Sequence, residues 1–296
     1  MNDREIVYKI TSFIPKGKVL TYSALAKIAG VKSPRVVGNI LHQNPDPKVV
    51  PCHRVVNRRE QVAENYAFGG ARAQLRKLQK EGVEAIGGRV DLTKHLWRPS
   101  RVLSLYFELL RKYGEPGLWP WWGEDKPCTR EEIAIGAILT QNTNWKNVEK
   151  AISNLKRENI RLVSFARGRL AKLKELIRPS GFYNQKAERL FRFSRFIVEG
   201  YGSLGKFFKL PASEAREKLL AINGIGKETA DTILLYAGYK PVFVIDTYTK
   251  KFVKAYNLTK KTDYDALQKF FTENLPTDIK LYQDYHALIV RWGKEH

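Results

Sequence analysis

Residues 219–230 read Leu-Leu-Ala-Ile-Asn-Gly-Ile-Gly-Lys-Glu-Thr-Ala, and the run Val242-Phe243-Val244-Ile245-Asp246-Thr247 follows close behind. Gly224-Ile225-Gly226 lies between two apolar helical stretches, so the pattern predicts a helix, a glycine hairpin and a second helix. Backbone N–H groups exposed at such a turn, just ahead of a helix N-terminus, seat a phosphate without help from a side chain. Asp246 ends the apolar run and precedes a helix expected from Thr247 to Tyr256. An aspartate at that place is what a plain helix N-cap looks like.

Upstream of the hairpin stand two further stretches, Ile138-Leu139-Thr140-Gln141-Asn142-Thr143-Asn144-Trp145 and Arg178-Pro179-Ser180-Gly181-Phe182-Tyr183-Asn184-Gln185-Lys186-Ala187. Taken with the hairpin and Val-Ile-Asp-Thr, they resemble the endonuclease III superfamily of DNA glycosylases over about residues 101–292. The resemblance implies an all-α fold with Gly224, Gly226 and Lys227 gripping DNA. It also implies Gln141 filling the hole left by a flipped base and Phe182 wedging the partner strand. Trp121-Trp122 and the Thr140–Thr143 run are similar to the 3-methyladenine branch, in which Trp121, Trp122 and Trp145 would wall the base pocket. An alkylated adenine is cationic and stacks well on aromatic faces. Two positions depart from that branch: Gly123 replaces a proline and Leu288 a lysine. Where lyases of the superfamily carry their Schiff-base lysine, this chain has Glu228, and Lys227 is one residue early, about 100° round the helix. The expectation is a monofunctional glycosylase in which Asp246 stabilises the oxocarbenium-like sugar and orients water.

The first hundred residues carry a different pattern. Thr21 reads as the N-cap of a short helix that Gly30 stops, and Ser33-Pro34 starts a second helix with Val36, Val37, Ile40 and Leu41 on one face. Two short helices joined by a tight turn in a basic chain suggest helix-turn-helix, with Arg35 exposed at the start of the second. Pro51-Cys52-His53-Arg54-Val55 follows, with Asn44 eight residues before the cysteine. Together with Ile14-Pro15-Lys16-Gly17-Lys18-Val19, Tyr22, Asn65-Tyr66, Gly69-Gly70 and Glu81-Gly82, this resembles the DNA-binding domain of O6-alkylguanine-DNA alkyltransferases. The chemistry agrees, since O-dealkylation needs a soft nucleophile and a thiol needs a basic neighbour to become thiolate. By resemblance, Cys52 takes the alkyl group in one irreversible turnover, His53 and Glu81 relay the proton through a water, and Asn44 shapes the turn. Arg35 would replace the flipped guanine in the stack, Tyr22 would press on the flanking phosphate, and Tyr66 would line the base pocket. A related branch that binds lesions without repairing them carries tryptophan at this place, so the retained cysteine argues for transfer.

Composition bounds these readings. Lys+Arg of 52 against Asp+Glu of 30 leaves +22 over 296 residues, and 43% hydrophobic residues suffice for real cores. Residues 1–99 hold 18 Lys+Arg and 8 Asp+Glu and the remainder 34 and 22, so both parts suit a polyanion. The expected partner is double-stranded DNA carrying alkylated bases, bound by a monomer, with no membrane involvement. No apolar run reaches a membrane span and the start MNDREIVYKI lacks a signal peptide's apolar stretch, so the expected location is cytoplasmic, on the nucleoid. Two cysteines cannot make a disulfide framework, a four-cysteine zinc site or an iron–sulfur cluster, and no metal or cofactor is expected. The fold class is mainly α, a winged helix-turn-helix-like domain over residues 1–99 and a helix-hairpin-helix domain over 100–296, the seam falling at Trp97-Arg98-Pro99-Ser100. Alternatives with this architecture are a glycosylase for mismatched uracil or thymine, or a factor that flags lesions without chemistry.

Overall fold

The computed structural model describes residues 1–117, 128–168 and 170–296, which form two compact units, Met1–Glu115 and Pro116–His296. Helix content dominates both.

In the first unit, helix α1 (Asp3–Ser12) starts on an Asn2 capping box, α2 (Tyr22–Ala29) on Thr21 and α3 (Pro34–His42) on Ser33 with proline at the first position. Gly30 ends α2 in the left-handed conformation, φ 65°, which glycine adopts without steric cost. The helix-turn-helix read from the caps is therefore present, and Ile6, Ile10, Leu25, Ala29 and Val37 close its core without exposure. The Cys52–Arg54 turn leads into strand β2 (Val55–Val56), which pairs in parallel with β1 (Leu20–Thr21). Helix α4 (Gly70–Lys80) covers that turn, and a small antiparallel wing, β3 (Ala85–Ile86) with β4 (Arg89–Val90), precedes the short α5 (Leu92–His95). Val19, Val56, Leu78, Val83 and Val90 make a second small core beneath the wing.

Helix α6 (Arg101–Tyr113) is capped by Ser100 as expected, yet it packs on α1 and α2. Phe13 meets the edges of the Tyr106 and Phe107 rings, and Arg111 pairs with Asp3 at 2.6 Å. The compact units accordingly divide after Glu115 and not at the Pro99-Ser100 seam. Proline and a cap mark where a helix begins; the partner of its apolar face is decided by shape.

The second unit is all-helical among the described residues: α7 (Arg130–Leu139), α8 (Trp145–Arg157), α9 (Leu162–Ala166), α10 (Leu170–Ile177), α11 (Tyr183–Tyr201), α12 (Leu204–Phe207) and α13 (Ala212–Leu220). The hairpin then leads into α14 (Lys227–Thr232), followed by α15 (Thr247–Ala255), α16 (Tyr264–Asn274) and α17 (Ile279–Glu295). Helix α14 continues as a π turn through Ile233–Ala237, where the Gly238 N–H reaches back five residues to the Ile233 carbonyl at 3.0 Å. That turn packs against α7 and α17, and Phe243, Phe252, Phe271 and Tyr285 fill the core beneath α15 to α17. Among the described residues no helix is long and apolar enough to cross a membrane.

Candidate active sites

In the first unit, Cys52 opens a tight turn tied down by backbone bonds, Cys52 N–H to the Val50 carbonyl and Arg54 N–H to that of Pro51. Buried Gln74 of α4 clamps the same turn, its amide donating to the carbonyls of His53 and Val55 at 3.0 and 2.9 Å. Asn44 is buried beside the thiol, where its Nδ2 donates to the Val50 carbonyl at 2.8 Å and lies 3.2 Å from Cys52 Sγ. Tyr66 approaches Sγ to 4.0 Å from another side, and Lys77 Nζ donates to the Tyr66 hydroxyl at 3.1 Å. Burial, and next the neighbouring Cys52, raise Tyr66, keeping it a hydroxyl that can donate.

His53 Nε2 meets Glu81 Oε1 at 2.9 Å, which joins two of the expected relay residues, while its Nδ1 is buried without a hydrogen-bond partner among the described residues. Arg54, not singled out from the sequence, forks onto both oxygens of Glu81 at 2.8 and 2.9 Å and spends a third N–H on the Ile14 carbonyl. Burial pushes Glu81 up, but the bonds from Arg54 and His53 overcome it and hold the carboxyl down at about 2. Burial lowers His53 against the pull of Glu81, so the imidazole is a neutral base near neutrality. Gly17 sits at φ 77°, a conformation that favours glycine, and a Cβ there would crowd the Glu81 carbonyl oxygen at 3.1 Å, which accounts for the glycine in the Ile-Pro-Lys-Gly-Lys-Val run. Arg35 is exposed at the start of α3. Tyr22 is only half-exposed and is pushed up to about 12, first by burial and then by the charge of Cys52.

In the second unit a pocket of about 300 Å³ is lined by residues of α7, α8, α14, α15 and α17, among them Gln141, Trp145, Glu228, Asp246, Tyr248 and His286. Asp246 is the N-cap of α15, its Oδ1 accepting the Thr249 N–H at 2.6 Å, and it also lines the pocket. Its Oδ2 faces His286 Nε2 at 3.4 Å. Burial raises Asp246, but His286 and the Thr249 N–H outweigh it and the carboxyl stays ionised. Glu228 reaches solvent at the pocket wall, yet local desolvation and then the Asp246 carboxylate raise it. Two carboxyls whose protonation is pushed in opposite directions within one pocket are what acid–base work at neutral pH requires. Lys227 is exposed and bonded to Asp265 at 2.5 Å, and it does not line the pocket, whereas Lys294 does.

In the hairpin Gly224, half-buried, takes φ 94°, and the exposed Gly226 is the N-cap of α14. A side chain at Gly224 would strike Arg189. Phe182 is exposed to 64% of its surface at φ 46°, a strained posture for an aromatic residue and one that projects it from the chain just before α11. Gln141 is half-buried and engaged, donating to the Gly224 carbonyl at 3.2 Å and to Thr229 at 2.9 Å, with Arg189 on its carbonyl oxygen. In this state Gln141 ties α7 to the hairpin, and entering a duplex requires it to let go.

Residues 135–277 match the HhH-GPD superfamily of base excision DNA repair proteins, and residues 3–83 the DNA-binding domain of 6-O-methylguanine DNA methyltransferase. A Methanocaldococcus jannaschii protein assigned as a DNA repair glycosylase is 47% identical over 198 residues, covering 66% of this chain and 87% of that one. The chain belongs to the HhH-GPD superfamily. In front of that part stands a methyltransferase-type DNA-binding domain. A Methanothermobacter thermautotrophicus methylated-DNA–protein-cysteine methyltransferase is 44% identical over 81 residues, which cover 27% of this chain and 44% of the relative. Among solved structures, the H. pylori 3-methyladenine DNA glycosylase bound to 1,N6-ethenoadenine is similar with a TM-score of 0.54 and 35% identity, covering 66% of this chain and 94% of its own. This HhH-GPD chain is therefore a DNA-binding repair protein with an alkyltransferase-type and a glycosylase-type domain.

Of the expected site residues, the structure brings Asn44, Cys52, His53, Tyr66 and Glu81 together in one unit, and Gln141, Trp145 and Asp246 around one pocket in the other. Trp121 and Trp122, expected as pocket walls, lie outside the described residues. Sequence reasoning missed His286 and Tyr236. The available signal was a histidine, one of five in the chain, followed directly by the apolar run Ala287-Leu288-Ile289-Val290.

Proposed function

We propose that this chain repairs alkylated DNA by two chemistries: transfer of the O6-alkyl group of guanine to Cys52, and hydrolytic release of alkylated bases such as 3-methyladenine with Asp246. What carries the reading is that each domain keeps its reactive side chain in working surroundings. Cys52 has Asn44 and Tyr66 on its sulfur with a neutral His53 next in the chain, and Asp246 is an ionised carboxylate inside an aromatic-walled pocket.

In the first reaction His53, held by Glu81, takes the thiol proton through a water at Nδ1. The thiolate then attacks the alkyl carbon as the C–O6 bond breaks, the electron pair goes to guanine and the thioether remains. Nothing regenerates the thiol, so each chain does this once. In the second reaction the bond from C1′ to the base breaks and its electron pair leaves with the base. Asp246 stabilises the cationic sugar and directs water to C1′, taking up that water's proton. Trp145 and Tyr248 offer π faces to a cationic base. Glu228 at the place of a lyase lysine, with Lys227 held by Asp265, supports release without strand cleavage.

Duplexes carrying O6-methylguanine or 3-methyladenine test both halves. Cys52→Ala is expected to abolish stoichiometric methyl transfer and spare base release, and Asp246→Asn to do the reverse. Base release that survives Asp246→Asn removes the second assignment. A borohydride-trapped DNA adduct contradicts release without a lyase step, and Lys294 would then be the amine to replace.

A further inference from the structure

Asp246 does not stand alone in its pocket. Behind it His286 Nδ1 meets the Tyr236 hydroxyl at 2.8 Å, and that hydroxyl also has the Gln283 carbonyl as a longer acceptor at 3.3 Å. His286 and Tyr236 are both buried, at 7% and 5% exposure. Tyr236 gets there because of the π turn. A π turn inserts one extra residue into a helix and leaves backbone groups to be satisfied by others, a feature that recurs at functional sites. Here the Leu235 carbonyl is taken by the Gln283 side chain at 2.9 Å, so α17 both accepts the turn and presents His286 to it.

The charge of Asp246 favours one tautomer of His286 over the other. A bare Nε2 lone pair 3.4 Å from Asp246 Oδ2 would face an anion in a buried site, whereas an Nε2–H there is attracted to it. Nε2–H makes Nδ1 the acceptor, and the shorter contact of the Tyr236 hydroxyl is the one to Nδ1. The three groups then form one directed chain in which Tyr236 O–H donates to His286 and His286 N–H points at Asp246. Thr249 N–H holds the other carboxylate oxygen from the start of α15. The carboxylate thus has the Thr249 N–H bonded to one oxygen and the His286 ring 3.4 Å from the other, from two different helices.

The geometry points to Tyr236 and His286 as positioning residues for base release: the pair fixes His286 in its Nε2–H form so that it orients the Asp246 carboxylate toward the sugar. This rests on the proposed role of Asp246, and it adds that the carboxylate's aim, and not its presence alone, is built into the fold. Neither residue enters the bond changes; each keeps its proton throughout, and the proton of the attacking water goes to Asp246 as before.

Two measurements on the full chain test it. The first needs no substrate: 15N NMR of labelled histidine reads the tautomer directly. His286 is expected in the Nε2–H form, with its Nε2 resonance moving in Asp246→Asn and its tautomer preference weakening in Tyr236→Phe. The second is the single-turnover rate of 3-methyladenine release at saturating protein. His286→Ala should slow it by about 10- to 100-fold, the scale of outer hydrogen-bond partners that orient a reacting group, with duplex affinity unchanged. His286→Gln, whose amide N–H can still reach the carboxylate, should recover part of that loss; a merely structural role predicts no such rescue. An Nδ1–H tautomer, an Nε2 resonance indifferent to Asp246→Asn, or wild-type release by a folded His286→Ala overturns the inference. If the wild type releases no base while the tautomer and its response to Asp246→Asn are as expected, the Tyr236–His286–Asp246 arrangement stands and the glycosylase assignment of Asp246 fails.

Discussion

Replacing Gly293 with alanine isolates a contact that shapes the glycosylase pocket. Gly293 lies in the last turn of α17 and is buried against α15. A Cβ there would stand 2.4 Å from Tyr248 Cδ1 and 3.1 Å from both Cβ and Cγ of the same residue. Carbon atoms settle at about 3.5–4.0 Å, so the ring must retreat by roughly 1 Å, and the contacts to Cβ and Cγ mean that rotating the ring tip does not suffice. Overpacking of this kind costs about 1–3 kcal/mol. Against it stands the gain of about 1 kcal/mol from alanine over glycine in a helix. The balance is a net loss of up to about 2 kcal/mol, a fall in Tm of as much as about 8 °C for the transition of a domain this size. Because Tyr248 lines the pocket two residues from Asp246, base release should slow beyond what unfolding explains at the assay temperature. Calorimetry paired with single-turnover base release makes the measurement. A Gly293→Ala protein that melts at or above the wild-type temperature and releases base normally refutes the steric reasoning, since helix propensity would then have won.

Three further outcomes follow from the same geometry. Asp246→Ala should lose about 1 kcal/mol with its cap and Asp246→Asn almost none, because asparagine caps as well as aspartate, while both lose base release; equal Tm shifts would contradict the capping role. His53 is lowered below its ordinary 6.5 by burial, so its neutral form is favoured by folding: that stabilisation is present above pH 6.5 and lost as pH falls through the lowered value. Methyl transfer should accordingly hold its rate as pH drops past 6.5, with Glu81, held down at about 2, still ionised; a rate that halves near pH 6.5 argues against His53 as the base. Lys186 is buried with its ammonium on the carbonyls of Leu139 and Ser180, at 2.8 and 2.6 Å, and burial followed by Arg189 brings it down to about 8. Lys186→Met strands both carbonyls and should cost at least about 2 kcal/mol, read as a lowered Tm of the second unit; an unchanged Tm would show that the carbonyls find other donors.

Local grammar was legible. Thr21, Ser33, Ser100 and Asp246 cap the helices that their sequences announce, because a cap is a bond between a residue and its neighbour three places on. The Cys52 site was legible too, since Pro-Cys-His-Arg and the upstream Asn44 lie within one loop. What the sequence hid are contacts whose partners lie far apart. Tyr236 and His286 are fifty residues apart and meet through a π turn that no periodicity announces. Arg54 follows His53 directly, but its hold on Glu81 depends on where α4 ends. Helix α6 gave its start and not its partner, and Gln141 looked like a free probe for DNA when its amide is spent on the hairpin.

Phe182 places a cost on the unbound protein. A phenylalanine held at φ 46° with most of its ring in water is a local loss on two counts, backbone posture and hydration. Glycine there would relieve both, and a search for thermostable variants would find it quickly. If the ring recovers its cost only when bases stack against it, selecting this protein for endurance in the test tube would select against its hold on a duplex.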